Sequence, residues 1–281
     1  MLKFATAGLV LGSIIFLLVN DYINSFNMYG WTKVVPYLNS KEWSIYVDKI
    51  KFKKKCKEIG LKTFETIHIF ENVDEIHKIF EFLPKQFIIK YNTGVGMNLF
   101  VHDKTKWTSE DIYSKIKNFK QPWYKNPWEL QYIHVKPCFM VEKLFTPTPI
   151  DYKIFLFKKV PVLMLVVDDR FQKKRKHNVY KIKKEELVLL QDCRWNIENS
   201  YETIFIPPQK DVNKMVEYAK ILTEKISLDL VRVDFYYLQG IIYGGEITFS
   251  SGAFLNSIEQ DCSKYVIGKK SKISALKVYN Y

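Results

Sequence analysis

Two acidic side chains, Asp234 and Glu246, stand inside long apolar runs, Arg232-Val233-Asp234-Phe235-Tyr236 and Glu246-Ile247-Thr248. A carboxylate in such a strand is costly to desolvate unless a cation or a metal compensates it. The two are an even number of positions apart, so they share a face if the connecting loop has an odd number of residues, such as Gln239-Gly240-Ile241. A two-residue Gln239-Gly240 turn would separate them. With the odd loop, the pair forms an oxygen-ligand site suited to Mg2+ bridging nucleotide phosphates, with Thr248 on the same face. The competing reading is a pair of acids neutralised by Arg232 and nearby lysines.

Two further groups could contact a nucleotide. Lys90 ends an apolar strand and is followed at once by a loop holding Gly94 and Gly96. A glycine turn lets backbone N–H groups approach phosphate oxygens, and a lysine leaving the strand adds a point charge. Val141-Glu142-Lys143-Leu144 closes another apolar strand, where exposed backbone can offer adenine one donor and one acceptor. Each group also has an ordinary structural reading, as a hairpin or an exposed strand end.

The elements that would position these residues follow from periodicity. Strands are expected at Phe87–Lys90, Pro137–Phe145, Lys153–Phe157, Val162–Val167, Leu228–Leu238 and Ile241–Phe249. Helices are expected at Asp48–Gly60, Glu71–Leu83 and Asp211–Ile226. Helices that precede and interrupt a mostly antiparallel set of strands make an α+β fold, not a doubly wound parallel sheet.

The composition, 281 residues with 47% hydrophobic side chains, supports one substantial core or two small ones. Lys and Arg exceed Asp and Glu by 43 to 30, a net charge of +13, which suits a polyanionic partner. Basic runs such as Lys53-Lys54-Lys55 and Lys173-Lys174-Arg175-Lys176 read as solvated faces. Cys56, Cys138, Cys193 and Cys262 are widely spaced and form no C-x-x-C pair, so buried free thiols are the default. No Ser-His-Asp or Cys-His grouping stands out, which excludes the usual nucleophile-elbow hydrolases.

Residues 4–19 carry no charge and would cover roughly 24 Å as a helix, short of a bilayer core. A signal peptide, a short anchor and a buried helix all remain open. Asn20-Asp21-Tyr22-Ile23 offers no small-residue cleavage site, which favours an uncleaved single-pass membrane anchor. The lysine-rich stretch from Lys33 onward would keep the following domain on the cytoplasmic side, although Lys3 and Asp21 pull the other way.

Six segments in order, DKIKFKKKCKEIG, FIIKYNTGVG, PWELQYIHVKPCFMVEKLF, DYKIFLF, DDRF and RVDFYYLQGIIYGGEITFSSG, resemble the TupA-like branch of the ATP-grasp enzymes, named for teichuronopeptide biosynthesis. That resemblance, spanning Asp48 to Gly252, implies two α+β subdomains clamping ATP. It divides the chain into an anchor (1–20), a helical linker region (21–86), an ATP-grasp domain (87–260) and a basic tail (261–281). It further implies that Lys90, Gly94 and Gly96 hold phosphates, that Glu142, Lys143 and Leu144 meet adenine, and that Asp151 and Lys153 lie beside ribose and phosphate. Asp234, Glu246 and Thr248 would bind Mg2+, with Lys153 and Arg232 serving catalysis.

The sequence departs from the family at Tyr91, where proline is usual, at Thr93 and Val95, where histidine and serine are common, and at Thr248, where many such enzymes place asparagine. The implied activity is ATP-dependent ligation of a carboxylate to an amine through an acyl phosphate, on a saccharide or acidic polymer of the cell surface. No nucleic-acid partner is expected. A glycosyltransferase is the alternative enzyme class, but the D-x-D metal motif is missing from the sequence. A membrane-tethered nucleotide-binding protein without catalysis is the alternative outside enzymes.

Overall fold

The computed structural model describes residues 33–93, 96–119, 129–168, 176–184, 186–191 and 203–250, together with Cys262 and Tyr265. The apolar stretch 4–19, Gly94 and most of the basic tail lie outside the described residues.

The strands are β1 (Lys62–Thr63), β2 (Thr66–Phe70), β3 (Phe87–Tyr91), β4 (Asn98–Val101), β5 (Phe139–Lys143) and β6 (Asp151–Phe157). They continue with β7 (Val160–Asp168), β8 (Lys176–Ile182), β9 (Leu187–Leu189), β10 (Leu230–Leu238) and β11 (Ile241–Thr248). They form two sheets, a small one ordered β2-β5-β3-β4 and a large one ordered β1-β11-β10-β6-β7-β8-β9. Among the described residues every pairing is antiparallel except β1 with β11. The architecture is the α+β one expected. Both sheets draw a strand from before residue 87, since β1 pairs with β11 and β2 with β5, so residues 62–70 are part of the sheets and not a linker.

Period-two alternation builds the small sheet. Phe87, Ile89, Phe139 and Val141 are buried in its core, while Ile88, Lys90, Met140 and Glu142 share the other face. A helix over Ser109–Ile116 covers the core face with Ile112 and Ile116. Its start is fixed by a capping box, in which Thr108 accepts from the Asp111 N–H at 3.1 Å and the Asp111 carboxylate accepts from the Thr108 N–H at 2.8 Å. In the large sheet, the helix Gln209–Thr223 buries Val212, Met215, Ala219 and Leu222 in the main core that also holds Tyr152, Ile154, Val233 and Phe235.

The helix Lys49–Glu58 starts on Asp48, whose carboxylate accepts from the Ile50 N–H at 3.0 Å. It packs on β11 where the chain is thinnest, because a Cβ on Gly244 would meet Cys56 Sγ at 2.8 Å and Leu61 at 3.0 Å. Asn92, buried after β3, donates to Asp48 at 3.3 Å and to the Lys136 carbonyl at 2.9 Å, and accepts from the Cys138 N–H at 2.8 Å. That one side chain ties the helix start, the loop after Lys90 and the entry to β5 together.

Two local expectations are corrected. Residues 71–83 do not form one helix. They break into the 3-10 turn Val73–Glu75, a single α turn at Ile76–Ile79 and the 3-10 turn Phe80–Phe82. The Lys104 ammonium caps the last carbonyls, those of Phe80, Glu81 and Leu83, at 3.2, 2.9 and 2.7 Å, and Pro84 disfavours helix at Leu83. Cys262 is disulfide-bonded, whereas Cys56 and Cys138 are buried free thiols as expected.

The connection between β10 and β11 is the two-residue turn Gln239-Gly240, with φ of 51° and 77°, and not the odd loop that the sequence reading required. By itself this turn would put Asp234 opposite Gly245 and leave Glu246 on the other face. A bulge restores the pairing: Phe235 faces Gly244, the register then shifts, and Asp234 faces Glu246. Gly245 is the extra residue, and a Cβ there would meet the Asp234 carbonyl oxygen at 2.9 Å. Because the obstacle is backbone, Gly245→Ala is expected to destabilise the protein by roughly 2 kcal/mol in urea unfolding. It should also displace Glu246.

Candidate functional site

The face of the small sheet that carries Lys90 and Glu142 looks across a cleft to Asp151, Tyr236 and Glu246 of the large sheet. The cleft encloses roughly 960 Å3, its open mouth included. Ile88, Phe100, Met140 and Leu144 make one wall apolar. Phe64 adds an aromatic corner, with its ring 4.9 Å from Phe145 and 5.1 Å from Tyr236.

On the small-sheet side the charge centres on Glu142, whose side chain is 2% exposed. Lys90 Nζ lies 2.6 Å from its Oε2, and Lys53 Nζ pairs with its Oε1. Burial alone would push this carboxyl up, but Lys90 and then Lys53 outweigh it and hold it below the usual carboxylate range. Lys53 also donates to the Phe64 carbonyl at 2.6 Å and to Thr66 Oγ1 at 2.8 Å. Its own ammonium is shifted down, chiefly by desolvation.

On the large-sheet side the centre is Asp234, which is fully enclosed. Arg232 holds both of its oxygens, at 2.6 and 3.0 Å, and Lys153 adds a third bond at 2.6 Å. Burial opposes ionisation, yet Arg232 and then Lys153 bring this carboxyl down to about 2. Arg232 Nη2 also lies 3.5 Å from Glu246 and 3.1 Å from Thr248 Oγ1, and Lys153 lies 3.1 Å from Asp151. Glu246 is the open member of the set, with a side chain 28% exposed and Lys49 Nζ 3.7 Å away.

Lys90, Gly96, Glu142, Lys143, Leu144, Asp151 and Glu246 therefore all line one cleft, and Lys153, Arg232, Asp234 and Thr248 sit in the bonded network beneath Glu246. Gly94 lies outside the described residues. Gly96 has φ 73°, the left-handed conformation that glycine adopts without strain. Asp234 and Glu246 share a face as anticipated, but a guanidinium stands between them, so the competing reading of acids neutralised by Arg232 describes their present pairing. Among the described residues no group of three or more acidic, histidine or cysteine side chains is close enough to hold a metal alone.

The adenine-edge expectation needs adjustment. β5 is flanked on both sides by β2 and β3, and the Lys143 N–H already donates to the Glu65 carbonyl at 3.2 Å. The first residue past the ladder is Leu144. Glu142 instead presents its side chain, to lysines.

Three participants escaped the sequence reading. Lys49 and Lys53 lie four apart on one helix face and both enter the cleft, so Lys53 is not part of a solvated run, although Lys54 is exposed. Their i, i+4 spacing was the available signal. Glu129 is the third: it is buried beside Lys49 and Glu246, and its carboxyl is pushed up to about 7 by desolvation, with Glu246 adding to the rise and Lys49 opposing it.

Two mostly antiparallel sheets facing a lysine-lined cleft, with Glu246 on one wall above the buried Asp234, make up an ATP-grasp fold. The chain belongs to the TupA-like ATPgrasp family, whose model matches residues 31–270. No curated protein sequence matches it. Among solved structures it is similar to D-alanine–D-alanine ligase from Bacillus anthracis complexed with ATP, at 15% identity over 73% of this chain and 56% of that one, with a TM-score of 0.41. It is also similar to D-alanine–D-alanine ligase from Helicobacter pylori, at 12% identity over 79% of this chain and 60% of that one, with a TM-score of 0.46. A third is the ATP-grasp ligase PsnB with minimal precursor, Mg and ADP, at 11% identity over 75% and 53%, with a TM-score of 0.40. The chain thus spans between half and three-fifths of the length of these proteins.

Proposed function

We propose that the protein is an ATP- and Mg2+-dependent ligase that joins a carboxylate to an amine through an acyl phosphate, in the synthesis or modification of a cell-surface polysaccharide or acidic polymer. One observation carries the reading: lysines from the small sheet and from the helix Lys49–Glu58 converge on the same cleft as Glu246, which stands in register with the buried Asp234 on the large sheet. Triphosphate charge suits the lysines, and a divalent cation suits the carboxylates.

The residues fit magnesium because a cation already stands between them. The Arg232 guanidinium bridges Asp234 to Glu246, so the geometry there is built around positive charge. Asp234 and Glu246 would hold the metal, with phosphate oxygens completing its shell as is usual for Mg2+, and Thr248 adjoining. When bound, magnesium neutralises the charge that develops on the transferred phosphoryl group.

The rest falls to the chain itself. Lys90 and Lys49 bind phosphate oxygens, and the apolar wall of Ile88, Met140 and Leu144 receives the base. Arg232 and Lys153, fixed by Asp234, present positive charge where phosphoryl transfer to the substrate carboxylate concentrates negative charge. The amine then attacks the acyl carbon and phosphate leaves, so no protein nucleophile is needed. The uncharged stretch 4–19 tethers this site to a membrane, beside a lipid-linked or surface-bound substrate.

The test is magnesium-dependent ATP binding and ADP release with a panel of uronic acids and amino acids, on protein lacking residues 1–25. ADP release that requires both a carboxylate and an amine is expected. ATP binding with no turnover on any pair would instead favour a nucleotide-binding protein without catalysis. Membrane partitioning that persists after removal of residues 1–25 would defeat the tether.

A further inference from the structure

We propose that Lys53 is a positioning residue: it keeps the buried Glu142 carboxylate compensated so that Lys90 can leave it for a nucleotide phosphate. This rests on the reading above that Lys90 contacts phosphate. The two lysines around Glu142 are not equivalent. Lys53 is anchored three ways, to Glu142, to the Phe64 carbonyl at 2.6 Å and to Thr66 Oγ1 at 2.8 Å. Lys90 is held by Glu142 alone among the described residues, at 2.6 Å, from a strand followed directly by the glycine-bearing loop.

A carboxylate with a side chain 2% exposed cannot be left without a cation at small cost. With Lys53 in place, Glu142 keeps one tightly bound ammonium when Lys90 departs. With Lys53 removed, Lys90 becomes the sole counter-ion and is trapped on Glu142. Affinity for nucleotide then falls although Lys90 itself is unaltered. Lys53 also joins two bodies of the fold, since its helix packs on β11 of the large sheet while Glu142 lies on β5 of the small one. The positions of the two lysines relative to the cleft are thereby set together.

The experiment measures Mg·ATP binding by calorimetry at fixed ionic strength, using the full-length chain and the variants Lys53→Met, Glu142→Gln and the two combined. Lys53→Met is expected to weaken binding by about tenfold. The combination should bind within about threefold of the unaltered protein, because neutralising Glu142 frees Lys90 again. Lys53→Arg, which keeps the charge while disturbing the bonds to Phe64 and Thr66, should bind nearly as the unaltered protein does.

A purely structural role gives a different pattern. Both Lys53 substitutions would then lower the melting temperature and the affinity together, and Glu142→Gln would rescue neither. Unchanged binding in Lys53→Met, or a combined variant as weak as Lys53→Met, overturns the proposal. Should Lys53→Met fail to fold, binding by Lys53→Arg decides: a tenfold loss there rejects the charge argument. Absence of any Mg·ATP binding by the unaltered protein would instead reject the nucleotide-binding reading itself, so the two failures are distinguishable.

Discussion

Glu246→Gln is expected to reduce ADP release by at least about a hundredfold while leaving the melting temperature within a degree or two. The side chain is the most open member of its network, 28% exposed, and its contacts to Lys49 and Arg232 are long, at 3.7 and 3.5 Å. Little folding energy rests on ion pairs of that length at a partly solvated position. The amide keeps the shape and removes the charge, so a metal held between residues 234 and 246 loses half of its protein-borne negative charge. Steady-state ADP release at several magnesium concentrations, compared with thermal unfolding, separates the two effects. A variant with unaltered nucleotide affinity, rate and magnesium dependence would show that the metal assignment is wrong.

Arg232→Met should act in the opposite way, on the fold first. It removes two of the three bonds to Asp234, a carboxylate with no solvent to fall back on, and leaves Lys153 as the remaining counter-ion. Taking one partner from a buried ion pair costs about 3–5 kcal/mol, so the loss should be measurable by urea unfolding at pH 7. Its pH dependence has a definite sign. Asp234 titrates at about 2 in the folded protein and near 4 in the unfolded chain, so its contribution is complete above pH 4 and is lost as pH falls toward 2. The gap between Arg232→Met and the unaltered protein should therefore narrow below pH 4. Combining Arg232→Met with Asp234→Asn should recover much of the stability at pH 7, because the neutral amide no longer demands a cation. A gap independent of pH would mean that lost packing, and not charge, causes the destabilisation.

The difference between these two carboxylates lies in their surroundings more than in their chemistry. Asp234 is buried and paired with Arg232 and Lys153 beneath the cleft, and a metal there would take one of its oxygens in exchange for part of that pairing. Glu246 faces the cleft with longer and weaker ties. The network thus orients two cations toward the place where phosphoryl transfer is proposed, and keeps one acid available beside them. Glu129, buried beside Lys49 and Glu246, is pushed up to about 7 chiefly by desolvation, with Lys49 opposing the rise and Glu246 adding to it.

Much of the site was readable along the chain because a strand has a period of two. Lys90, Glu142 and Asp234 interrupt apolar strands, and alternation alone says that each shares a face with its neighbours two positions away. The order of the six segments carried the family, and the helix at 209–223 followed from its apolar stripe. Where local rules competed with distant contacts they failed. Residues 71–83 have the spacing of a helix, but they settle into successive 3-10 and α turns whose final carbonyls are capped by Lys104, more than twenty positions on. β1 is only two residues long and β2 shows no alternation of burial, and both are held in place by pairing with β11 and β5.

Residue types and local periodicity were enough for an α+β chain, for acids and lysines on defined strand faces, and for a glycine-bearing loop after Lys90. Tertiary structure alone decided which charges meet. Lys153 and Asp234 stand 81 positions apart in the chain and 2.6 Å apart in space, a pairing set by the register of β6 against β10. Lys53 turned inward because Glu142, from the other sheet, needed a counter-ion, while its neighbour Lys54 stayed in water. The bulge at Gly245 brought Asp234 and Glu246 to one face after a turn that would have parted them. Desolvation and pairing energies depend on neighbours in space, and a linear pattern records only neighbours along the chain.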